Sequence, residues 1–165
     1  MIVLGVDNGI SGTIGAIFDD GSYEFFKTPI RTTISYTKKY QSVSRIDVPA
    51  LRLLFDCYRD KEVKIFLERP MVNPAMFKAT ISAIRSLEAT LITIEDYKFS
   101  LEYIDSKQWQ KEILPSGIKG STELKKASLE IGKRMFPKIN WEKFKDADGI
   151  LIALWGKKQN ERMRG

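Results

Sequence analysis

The sequence has no histidine and a single cysteine, Cys57, among its 165 residues. Without histidine there are no imidazole general bases, no Ser-His or Cys-His nucleophilic pairs and no histidine-rich zinc sites. One cysteine excludes a disulfide within the chain. Cys57 falls in an amphipathic run with Leu51, Leu54, Phe55 and Tyr58, where a thiol packs as a small apolar group. No apolar stretch approaches the roughly 20 residues that cross a bilayer. Asp7 interrupts the apolar run at the N-terminus, which argues against a signal peptide. These absences predict a cytoplasmic protein with no membrane partner. Any metal site must rely on oxygen ligands, which suits Mg2+ or Mn2+.

What is present is a globular composition, 43% hydrophobic and 29% charged, with no low-complexity run. Residues 1–165 read as one domain large enough to bury a core. The formal net charge is +6. Residues 29–46 carry Arg31, Lys38, Lys39 and Arg45 and no acid, amid Thr, Ser and Tyr. This segment is predicted to be a basic loop or mobile arm for a polyanionic partner, with nucleic acid the first candidate.

Hydrophobic patterning predicts three strands in a meander: "IVLGVD", then two strands joined at Asp20-Gly21. A helix opens at Asp47–Pro49 and runs to about Arg59. "EVKIFLERP" is a strand stopped by Pro70, and a long helix runs from Pro74 to about Ile94. Its apolar residues fall in two stripes: Phe77, Ile81, Ile84, Leu87 and Leu91 in one, Met76, Ala79 and Ala83 in the other. "KFSLEYID" is a fifth strand, followed by helices over 106–114 and 122–136 and a last helix from about Asp146. Three meandering strands followed by alternating strands and helices predict an α/β fold, a mixed five-stranded sheet flanked by helices.

Acids stand at the ends of these apolar runs. Asp7 ends the first strand, Glu68 ends the fourth, and Asp146 and Asp148 stand at the opening of the last helix. Carboxylates gathered at one sheet edge can hold two divalent ions about 3.5–4 Å apart, which activate water without histidine and clamp both oxygens of a phosphodiester. Structural roles compete with that reading. Asp7 is also placed to cap the turn before Gly9, Glu68 to pair with Arg69, and Asp146 or Asp148 to cap the helix.

The motifs "GVDNGISGTIGA", "FLERP", "SKQWQKEILP", "STELKKASLEIGKRMFP" and "DADGILIALW", in this order, resemble the RuvC-like Holliday junction resolvases, especially the short phage forms. The resemblance implies an RNase H-like fold and a metal-dependent endodeoxyribonuclease of DNA recombination and repair, acting in bacterial cytosol or a phage-infected host. Its expected partners are branched DNA, above all four-way junctions, and a second copy of the chain as a homodimer. It implies that Asp7, Glu68 and Asp148 are ligands to Mg2+ or Mn2+, two ions per site. The family's fourth acid falls at Lys145 here, with Asp146 beside it. Two residues apart do not share a helix face, so Asp146 joins the site only if it precedes the first full turn. The resemblance also places Lys107, Lys111 and Lys125 near phosphates, Lys107 at the reaction centre. Phe77 becomes a wedge at the junction crossover or, alternatively, a packing residue, and Trp109 reads as a core anchor or, alternatively, a base-stacking group. Other readings of the same residues are a flap or RNA–DNA hybrid nuclease, a catalytically weak DNA-binding member of the fold, and an actin-like or sugar-kinase phosphate-binding domain. The last needs a second domain to close over ATP, for which the chain has no room.

Overall fold

The computed structural model describes residues 1–165, the side chain of residue 164 excepted. Its first three strands, β1 (Ile2–Val6), β2 (Thr13–Ile17) and β3 (Tyr23–Lys27), form the expected antiparallel meander. The turn between the last two sits at Asp20-Gly21, with Gly21 at φ +82° and Asp20 Oδ1 accepting a 2.8 Å hydrogen bond from Ser22 N. β6 (Val63–Glu68) and β7 (Ser100–Ile104) extend the sheet in parallel from β1, giving the order β3-β2-β1-β6-β7. This is the mixed five-stranded sheet predicted above.

Residues 29–46 are not a loop. They fold as a hairpin of β4 (Ile30–Ile34) and β5 (Ser42–Ile46), a two-stranded sheet of its own. The β-branched residues Thr32, Thr33, Ile34, Val43 and Ile46 favour extended backbone. The strands are joined by polar residues 35–41 rather than a tight glycine turn, so no short hairpin signal marks them.

Helices cover both faces. α1 (Val48–Asp56) starts at an Asp47 cap, whose side chain accepts from Ala50 N at 3.2 Å. With α2 (Phe77–Tyr97) it packs on one face, where Leu4, Val6, Ile65 and Leu67 meet Leu51, Phe55 and Ile94. α3 (Ser106–Ile113), α4 (Ser121–Met135) and α5 (Asp148–Arg164) cover the other, where Val3 and Phe66 meet Trp109, Phe136, Ile150 and Ala153. Each fully buried Ile, Leu or Phe contributes roughly 1.5–3 kcal/mol relative to exposure. No helix among the described residues is long and apolar enough to cross a membrane.

α5 lies directly on the sheet. A Cβ on Gly5 would sit 2.2 Å from the Gly149 carbonyl oxygen, and one on Gly15 would sit 2.3 Å from Ile150 Cα. Only glycine permits this approach, and the approach brings the N-terminus of α5 to the end of β1.

α2 departs from its expected packing. It begins after a single 3-10 turn (Pro74–Met76) and ends at Lys98, which takes a left-handed φ of 55°. Its buried positions are Ser86, Thr90, Thr93 and Ile94, while Phe77, Ile81 and Ile84 of the expected core stripe are exposed. Length explains this. A helix of 21 residues spans about 31 Å. The six-residue β6 beneath it spans about 20 Å. The first turns of α2 therefore run past the sheet edge, without a core to cover.

Candidate metal centre

β1 and β6 are parallel, so Asp7 and Glu68 emerge at the same sheet edge. After Asp7 the chain makes a compact turn, with Asp7 N donating to Thr13 O at 3.0 Å and Gly12 N to Gly9 O at 3.1 Å. A Cβ on Gly12 would lie 2.0 Å from the Asp7 carbonyl oxygen, so this turn closes only with glycine there. Gly149 N, in the first turn of α5, donates to Thr13 Oγ1 at 3.0 Å and moors the helix to the start of β2.

Asp146 precedes that helix and Asp148 is its first residue, so their two-residue spacing does not separate them. One carboxylate oxygen each from Asp7, Asp146 and Asp148 lies within 4.8 Å of the others. Asp146, 3% exposed, accepts 2.6 Å from Lys125 Nζ and 3.3 Å from Asp148 N. Ser128 Oγ donates to Asp148 Oδ1 and accepts from Ala147 N at 3.0 Å. Lys125 and Ser128 share one face of α4. That helix comes close because a Cβ on Gly132 would lie only 2.4 Å from Ala147 Cβ.

Glu68 ends β6 at the same edge but lies outside this three-aspartate cluster; its charge acts on Asp7, and its Oε2 accepts a 2.6 Å hydrogen bond from Trp109 Nε1. The alternative pairing with Arg69 is not made. Arg69 turns to Asp105 (3.2 Å) and lies over the Tyr103 ring at 5.5 Å.

Four carboxylates thus face one cation. Burial, then the charges of Glu68, Asp148 and Asp146, hold the Asp7 carboxyl well above the usual carboxylate range. Burial lifts Glu68 to about 7 against the Trp109 hydrogen bond, with Asp148 adding to the rise. Asp148 is pushed up to about 6 by burial and by Asp146, against the Ser128 hydrogen bond and Lys125. Burial draws the Lys125 ammonium down, but its hydrogen bond to Asp146 and the surrounding carboxylates hold it above the usual lysine range.

The donor set fits a divalent cation. It is all oxygen, the negative charge exceeds what one ammonium balances, and no hydrogen-bond donor among the described residues serves the Asp7 carboxylate. Mg2+ and Mn2+ suit such ligands.

Other expected site residues lie elsewhere. Lys107 and Lys111 are on the exposed side of α3, with no ion pair to these acids among the described residues. Arg31, Lys38, Lys39 and Arg45 lie on the β4–β5 hairpin. Phe77, 69% exposed, stands at the first turn of α2, so it is not part of this chain's own core. Ser128 is absent from the residues the sequence singles out, and Trp109, read there as a core anchor or a base-stacking group, is buried and also holds Glu68. The signals available were the i, i+3 spacing of Ser128 from Lys125 and the need of a buried indole N–H for an acceptor.

No family model and no curated protein matches the sequence. Solved structures do match the fold. The structure of T. thermophilus RuvC in complex with a Holliday junction substrate superposes with a TM-score of 0.63 at 11% identity, covering 98% of this chain and 96% of that one. A second Thermus thermophilus RuvC structure gives a TM-score of 0.57 at 13% identity, covering 99% and 97%. The fold is the RNase H-like fold of RuvC.

Proposed function

We propose that this chain is a divalent-metal-dependent endonuclease that cuts branched DNA, four-way junctions foremost, by phosphodiester hydrolysis. The observation that carries the reading is the convergence of Asp7, Asp146 and Asp148 at one sheet edge, with Glu68 at the same edge and Lys125 paired to Asp146. The likeness in fold to a protein solved with a Holliday junction substrate supports the choice of DNA.

Asp7, Asp146 and Asp148 would hold Mg2+ or Mn2+, with Glu68 completing the site, and two ions suit the number of carboxylates. Bound there, the metal supplies Lewis acidity and lowers the pKa of water, which answers the lack of histidine. The chain's own groups do the rest. Trp109 holds Glu68 Oε2, leaving Oε1 for a cation or a water proton. Ser128 fixes the orientation of Asp148. Lys125 is placed to neutralise charge that develops on a phosphate. Lys107 and Lys111, exposed on α3, serve as outlying phosphate contacts that add affinity rather than rate.

A junction presents two equivalent strands, so the reading includes a homodimer with two symmetric sites. The uncovered turns of α2, with Met76, Phe77 and Ile81, are its proposed contact.

The test is incubation with labelled four-way junction, duplex, flap and RNA–DNA hybrid, with and without Mg2+ or Mn2+. Paired metal-dependent cuts in the junction support the reading. Cutting of the hybrid alone would favour a ribonuclease of this fold, and no cutting of any substrate with either metal would overturn the reading.

A further inference from the structure

The β4–β5 hairpin is rooted beside the metal centre. Thr28 N, just before it, donates to Gly12 O at 3.0 Å, in the turn packed on the Asp7 backbone. Asp47 N, just after it, donates to Pro29 O at 2.9 Å, closing the hairpin's base. Arg85 Nη2 on α2 donates to Ser44 O at 3.1 Å, while two residues earlier Ala83 O accepts from Asn8 Nδ2 at 3.1 Å. One stretch of helix therefore braces both the hairpin and the residue after Asp7. From that base the ribbon extends about 20 Å, a reach of about six base pairs of DNA.

Its chemistry is unbalanced in a way a folded hairpin does not need. Arg31 and Arg45 are directly opposed across the ladder. Like charges in that position destabilise a strand pair. None of the hairpin's four cations has an acid partner among the described residues, and the segment contains no acid. A phosphate between the two guanidiniums would relieve the repulsion.

Beyond them the aromatic groups face water. Tyr40 is 92% exposed in the connecting loop, with Lys39 Nζ 5.8 Å from its ring centroid. Tyr36 is also exposed, and its ring is backed by the Arg85 guanidinium at 5.2 Å. An exposed ring pays no part in the core, and a ring flanked by cations is the pairing that binds a nucleobase and its phosphate together.

We infer that the hairpin is a strand-binding ribbon, with an Arg31–Arg45 phosphate clamp at its base and base-stacking tyrosines, Tyr40 foremost, towards its tip. Stacking needs a free base face, which an intact duplex does not offer. The ribbon therefore directs the chain to DNA with unpaired bases, as at an opened branch point. The inference rests on the proposed nuclease reading, whose substrate preference it specifies.

The test uses the full chain in EDTA, so that binding is measured without cutting. The probes are a fluorescein-labelled single strand and a duplex of equal length, followed by anisotropy, and a single strand carrying 2-aminopurine, followed by its quenching. Tyr40→Ala is expected to weaken single-strand binding roughly tenfold, to leave duplex binding nearly unchanged and to remove the quenching, while Tyr40→Trp restores both. Arg31→Gln with Arg45→Gln is expected to weaken both DNAs and flatten the single-strand salt slope by roughly 0.7, the equivalent of the one clamped phosphate. Unchanged single-strand affinity in Tyr40→Ala, or an equal loss on duplex, overturns the inference. If the wild type cuts branched DNA and the tyrosine is silent, the nuclease reading survives without it. If the wild type binds no single strand in EDTA, the inference falls, and the nuclease reading falls with it only if no substrate is cut with Mg2+ or Mn2+.

Discussion

Trp109 Nε1 donates a 2.6 Å hydrogen bond to Glu68 Oε2 across a sequence separation of 41 residues. The bond favours the ionised carboxylate and opposes the burial that lifts Glu68 to about 7. Trp109→Phe keeps most of the apolar volume and removes only the donor. The Glu68 pKa should then rise further, moving the acid limb of the pH–rate profile upward. Cleavage near neutrality should fall roughly 10–100-fold, as for other groups that orient a metal ligand. An unchanged pH profile would leave Trp109 with packing alone.

The second prediction concerns stability in EDTA. Folded-state values of about 7 for Glu68 and about 6 for Asp148 exceed the ordinary 4.5 and 3.8. Over that interval the folded protein binds more protons than the unfolded chain. The contribution of these groups is full below about pH 4 and is lost as pH rises through 6 to 7. The metal-free protein should therefore melt lower at pH 8 than at pH 5. Mg2+ or Mn2+ should restore the Tm at pH 8, because the cation binds the folded state. Asp7→Asn should raise the metal-free Tm at pH 8, shrink the metal response and reduce cleavage by more than about a hundredfold, beyond the usual effect of an outer partner. A metal-free Tm that climbs from pH 5 to pH 8, together with no metal response, would contradict the site.

Lys125 and Lys107 make a discriminating pair. Lys125 Nζ lies 2.6 Å from Asp146 Oδ2, whereas Lys107 is exposed on α3. Lys125→Met should cost roughly 10²–10³-fold in cleavage at saturating DNA, as when a donor to developing charge is lost. Lys107→Met should leave that rate nearly unchanged and lower only affinity. The reverse ranking would move the reaction centre towards α3. Asp146→Asn, which keeps the shape but loses the charge held by Lys125, should give a partial loss.

Much of this site is legible along the chain because strand ends and a helix start are local features. Asp7, Glu68 and Asp148 each adjoin an apolar run, and the parallel pairing of β1 with β6 puts Asp7 and Glu68 at one edge. Asp146 joins them for the stated reason, that the helix begins only at Asp148. Periodicity does not reveal contacts between distant segments. Ser128 reaches Asp148 from another helix, through an approach set by the missing side chain of Gly132. The hairpin hid behind a long polar connection, and the stripe on α2 misled because periodicity carries no information about where a sheet stops.

The last prediction concerns that overhang. Phe77, Ile81 and Ile84 follow one another at helical spacing and are all exposed, with Met76 beside them. An apolar face of this kind on a charged protein marks a partner surface, and a second copy would meet it with the same residues about a two-fold axis. Sedimentation at micromolar concentration should show a species of twice the 18.9 kDa chain mass. Ile84→Arg should return it to monomer, since the side chain is exposed and the change leaves the monomer core intact. That variant should still bind metal but release single nicks from a junction instead of paired cuts, because one site reaches one strand. A wild-type monomer that stays monomeric on added junction and still makes paired cuts would rule out the dimer.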